Sequence, residues 1–150
     1  MARIVAALTG AAVLAACGSA AFQTDQRVDI VTPASLSTVT VPFTVRWTSA
    51  GSGANRYAVF LDAAPISPGH GVRDVADRTC KVTPGCPDAG YLAGKGVYLT
   101  SGTSVEIRDL PAPSGTDGRN RRPPHTLTIV LMDSAGHRAG EASWRVEFDG

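Results

Sequence analysis

Lysine is nearly missing from this chain: Lys81 and Lys95 are the only two, beside twelve arginines. The 14 basic and 13 acidic side chains almost cancel, so net charge gives no reason to expect nucleic acid or an anionic surface as partner. The common catalytic signatures are missing too: no G-x-S-x-G elbow, no H-E-x-x-H and no Walker loop occurs. Asp62, Asp133 and Ser134 with three histidines are what any chain of this length offers, so no enzyme, cofactor or metal is expected. No stretch of helix length shows a 3.6-residue apolar period, and nothing repeats at a fixed interval. Long apolar runs are few. The run without charge near the start, Ile4 to Ala16, has thirteen residues. As a helix it would reach about 20 Å, short of a hydrocarbon core of roughly 30 Å, which argues against a permanent membrane span.

What is there begins with an address. Met1-Ala2-Arg3 supplies a positive start, and the apolar run follows it, the pattern of an export signal. The run ends Leu14-Ala15-Ala16-Cys17-Gly18, which resembles the lipobox of bacterial lipoproteins. The resemblance implies removal of residues 1–16 and lipid on Cys17, whose acyl chains add about 0.8 kcal/mol of membrane affinity per buried methylene. An ordinary secretory signal with a cysteine nearby is the competing reading. Under the first, the mature protein works outside the cytoplasm, on the outer membrane or the outer face of a single membrane. Residues 17–26 (CGSAAFQTDQ) then form the lipidated cysteine and a small, polar tether. Residues 27–150 remain as one domain of comfortable size.

Cys80 and Cys86 flank a Pro84-Gly85 turn. Outside the cytoplasm such a pair reads as a local disulfide. Metal binding, the alternative, needs two more ligands at close spacing, and no neighbouring C-x-x-C or H-x-x-x-H supplies them.

The mature chain is a series of short alternating segments. Val28 and Ile30 open the first; Val41, Phe43, Val45 and Trp47 form the second; Tyr57, Val59 and Leu61 the third. Val97 to Leu99, Val105 to Leu110, Leu127 to Met132 and Ala142 to Phe148 complete seven. Gly, Pro, Ser and Asp separate them, and the sum is an all-β antiparallel sandwich. The pattern resembles bacterial immunoglobulin-like or fibronectin type III-like domains. The resemblance rests on Phe43-x-Val45-x-Trp47, Tyr57-x-Val59-x-Leu61 and the corner Ile107-x-x-Leu110-Pro111. Where those domains place a corner tyrosine this chain has His125, expected to bond backbone near Leu110 and not to bind metal. A loop insertion from Ala63 to Lys95 is added, pinned by the cysteine pair, with helical turns around Val72–Asp77 and Pro87–Ala93.

Three places could meet a partner. Arg119, Arg121 and Arg122 crowd a loop leading to His125 and suit phosphate, an anionic glycan or an acidic protein. Tyr91, Lys95 and Tyr98 could form a shallow site for sugar. If Tyr57 and Leu127 face inward, Ala58, Phe60, Val130 and Met132 put an apolar patch on the outer face. Such a patch is covered by something: the insertion, through Val72, Val75, Tyr91 and Leu92, or another protein. The expected function is a lipid-anchored, non-catalytic envelope module contacting a protein partner, with binding of carbohydrate or cell-wall polymer as the alternative.

Overall fold

Alternation of apolar and polar residues becomes seven strands in the structure, a computed structural model that describes residues 27–50, 56–111, 123–139 and 144–150. The signal region, Cys17, the tether, Arg119, Arg121, Arg122 and Ala142 lie outside the described residues. The strands are β1 (Val28–Thr32), β2 (Phe43–Ser49), β3 (Arg56–Leu61), β4 (Val97–Thr100), β5 (Ser104–Ile107), β6 (His125–Met132) and β7 (Trp144–Phe148). They pair as two antiparallel sheets, β1-β2-β5 and β4-β3-β6-β7. The chain is an all-β sandwich.

Two strands are shorter than the sequence pattern suggests. Val41 precedes β2 and is 44% exposed, because Pro42 has no N–H to give the ladder. Leu110 follows β5, which ends at Ile107 opposite Phe43, the first residue of β2. Between the sheets lies a core of Val45, Trp47, Tyr57, Val59, Leu61, Ile107, Leu127, Ile129, Leu131 and Phe148. The Trp47 and Tyr57 rings meet edge to face with centroids 5.3 Å apart, a geometry that adds to area burial. The β1–β2 connection crosses to the other sheet. Leu36 and Val39 donate backbone N–H bonds to the carbonyls of Glu147 (2.6 Å) and Asp149 (2.8 Å), which covers the outer edge of β7.

The opposite face of β3 and β6 is also buried. Ala58, Phe60, Val130 and Met132 all point away from the inter-sheet core, and none is more than 1% exposed. What covers them is the insertion: Ile66 and Leu92, with Val72, Val75 and Tyr91, pack on this face. The apolar patch is therefore a second core, closed from within the chain. The insertion holds a 3-10 turn at Val72–Val75, helix α1 (Arg78–Val82) and helix α2 (Ala89–Gly94). The first and last match the expected helical turns. Helix α1 adds a turn with no apolar period to announce it, started by Asp77, whose carboxylate accepts the Cys80 N–H at 2.9 Å.

Two fasteners hold this cap down. Arg138 is 5% exposed, and its guanidinium donates to the Ile66 carbonyl at 2.8 Å, a charge-assisted bond worth about 1.5–3 kcal/mol. Its backbone N–H meets the His70 carbonyl at 2.8 Å, and the Val72 N–H meets that of Gly136 at 3.2 Å. The second fastener is the bond between Cys80 and Cys86, whose Cα atoms are 5.2 Å apart. Closing so short a loop stabilises the fold by about 2–2.5 kcal/mol in the chain-entropy model. Reduction, or the double change Cys80→Ala with Cys86→Ala, should lower the thermal midpoint by several degrees. Equal melting of oxidised and reduced protein would show that the bond contributes nothing.

Candidate functional site

At one end of the sandwich, β3 must turn where β6 begins. Leu61 pairs with Leu127, and Asp62 then takes a left-handed backbone conformation, φ 52°, which Asp tolerates better than most side chains. The turn aims its carboxylate at β6. One oxygen accepts the Thr126 N–H at 2.7 Å and the other lies 2.6 Å from Nδ1 of His125. The ring is 8% exposed and stacks on Phe148, centroids 5.6 Å apart. His125 is a corner residue as expected, but its partner is the Asp62 carboxylate and not backbone near Leu110. No sequence pattern joins the two, which stand 63 residues apart.

This pair borders a cavity of about 390 Å³ walled by Leu61, Gly94, Lys95, Gly96 and the prolines 111, 123 and 124. Thr126 carries the one hydroxyl among the described residues lining it. Pro111 and Pro123, which flank residues 112–122 in the sequence, both line this cavity. A second cavity of about 450 Å³ adjoins it through Gly94, Gly96 and Pro111, and brings in Tyr98, Glu106, Arg108 and Asp109. The two form one groove along the side where the edge strands β4 and β5 lie.

Of Tyr91, Lys95 and Tyr98, Lys95 lines the first cavity and Tyr98 the second, while Tyr91 lines neither. Successive residues of a strand point to opposite faces, so Val97 faces the outer core and Tyr98 the inter-sheet core. Tyr91, on α2, packs on the outer face, and its hydroxyl accepts the Asp77 N–H at 2.9 Å. The Lys95 ammonium stands 5.5 Å from the Tyr91 ring centre and 4.0 Å from the Asp77 carboxylate. The Cys80 N–H, then Tyr91, hold that carboxylate below its ordinary range. Tyr91 is a brace of the cap; Lys95 braces it with its head group and also lines the groove, where Tyr98 joins it. Burial, then Asp109, pushes the Tyr98 hydroxyl above the ordinary phenol range.

Elsewhere, His70 pairs with Asp74 (3.0 Å) and His137 with Asp133 (3.6 Å) on exposed turns beside the cap's seam. Among the described residues no group of three His, Cys, Asp or Glu is placed to hold a metal, and no helix is long and apolar enough to cross a membrane. Nothing in the sequence singled out Gly94, Gly96, Glu106, Arg108 or Asp109, which meet in the groove only through the pairing of distant strands. No family model, curated protein or solved structure matches this chain.

Proposed function

We propose that this chain is a lipid-anchored, extracytoplasmic binding module of the cell envelope, non-catalytic, on a fibronectin type III-like sandwich. The observation that carries the anchor is the bond between Cys80 and Cys86. It occupies both cysteines of the folded domain and leaves Cys17, behind its lipobox, as the remaining thiol. The fold type is supported by the fourth strand. In constant-type immunoglobulin domains that strand joins the first, second and fifth; here β4 lies beside β3, in the other sheet.

The ligand is another envelope component. The insertion from Ala63 to Lys95 and the segment from Arg119 to His125 were the expected partner surfaces, and the insertion spends its apolar residues on the outer face of the sheet. Among the described residues, the concave groove beside β4 is the surface we favour for that ligand. In the parent organism, Cys17→Ser should abolish labelling by a tagged fatty acid, and either release the domain or leave the precursor uncut. Labelling that survives the change would refute the anchor.

A further inference from the structure

The groove joins two cavities, each within the size range of small-molecule sites, and its chemistry restricts what fits. The walls are rigid carbon: Pro111, Pro123 and Pro124 on one side, with Leu110 and Tyr98 further along. The floor has no side chain at Gly94 or Gly96, and a Cβ on Gly94 would meet no atom within 4 Å. The charges along it are largely matched within the protein. Asp62 bonds His125, the Lys95 ammonium turns to Asp77 and Tyr91, and Arg108 lies 3.1 Å from Glu106. Asp109 makes no ion pair among the described residues, and it sits near enough to Tyr98 to perturb the hydroxyl.

An acidic peptide or a phosphate would meet Lys95 and Arg108, each already facing a carboxylate of the chain, Asp77 and Glu106. A basic peptide would find a single carboxylate without an ion pair among the described residues, Asp109. What the groove does offer is acceptor oxygens on Asp109 and on Glu106, of which Arg108 engages Oε1, a phenol, and flat apolar surfaces against which C–H faces can pack. We propose that this groove binds a neutral oligosaccharide, its hydroxyls donating to Asp109 and Glu106 and its ring faces lying on Tyr98 and the prolines. The inference rests on the binding-module reading and names its site and ligand class.

Gly94 supplies the test. It is the last residue of α2 and its φ lies outside the left-handed region, so Gly94→Leu fills the groove without straining the backbone. The full chain, purified in detergent micelles, is applied to an array of neutral oligosaccharides and to immobilised tetralysine. Saturable retention on one oligosaccharide class, weakened at least about tenfold by Gly94→Leu and by Asp109→Ala while both variants melt with the wild type, is the expected result. Retention on no oligosaccharide overturns the inference, as does retention that Gly94→Leu leaves unchanged. Retention on tetralysine that Gly94→Leu removes overturns the ligand class in favour of a basic peptide. Fatty-acid labelling of the same preparation is read in parallel: labelled protein that binds nothing refutes the groove alone, and unlabelled protein that binds refutes the anchor alone.

Discussion

Phe60→Ala should cost about 3–5 kcal/mol, a large share of the roughly 5–15 kcal/mol that holds a domain of this kind together. Phe60 is on the side of β3 that faces away from the other sheet, where a simple sandwich exposes its residues to water. Yet it is 0% exposed, enclosed by Ile66, Leu92, Val97 and Met132. Truncating it removes a ring from water-free packing and leaves a cavity that the cap and sheet cannot fully close. If the face were open and awaiting a partner, the change would be nearly neutral to the isolated protein and would weaken only the complex. The urea midpoint of the purified protein separates the two. A shift near zero would mean that the insertion does not sit on the sheet as described. Leu92→Ala, from the cap side, should act in the same direction, at about 2–5 kcal/mol.

How far the sequence discloses this arrangement depends on the range of the interaction. The two faces of β6 are readable along one strand. Leu127, Ile129 and Leu131 mark one side, and apolar Val130 and Met132 on the other say that this side is covered too. The choice of cover was open, and the apolar residues of the insertion were the ones that provided it. Helix α1 escaped because five residues cannot display a period; its signal was the capping Asp77. The groove was illegible for a different reason. Tyr91 and Tyr98 stand seven positions apart and look like one aromatic site, but a sheet lies between their rings. Asp62 and His125 look unrelated and bond, because β3 and β6 are sheet neighbours. Pairing of strands distant in the chain decides both outcomes, and a local pattern carries no record of it.

Gly96 tests the corner on which the groove is built, and it should tolerate no side chain. Its φ is 72°, and a Cβ there would lie 2.2 Å from the carbonyl oxygen of Leu61. That contact is to backbone at the end of β3, so no rotamer change relieves it. The same corner holds the bond from the Leu61 N–H to the Gly96 carbonyl, 2.7 Å. Gly96→Ala would add the left-handed penalty of about 1–2 kcal/mol. Moving the backbone apart would also strip buried groups of their bond, at about 1–3 kcal/mol. A loss of roughly 3 kcal/mol or more is expected, read as a fall in the urea midpoint. Gly94→Ala is the control two residues away: with open space around it, it should be neutral or stabilising by up to about 1 kcal/mol. Similar midpoints for the two variants would show that β3 and β4 do not approach as closely at this corner as their bond requires. The contrast also bears on binding, because the closeness that excludes a methyl group at Gly96 draws Asp62 and His125 toward the strand carrying Tyr98. A chain that accepted Ala at 96 would have a wider corner, and its groove would lose the shape on which the proposed binding depends.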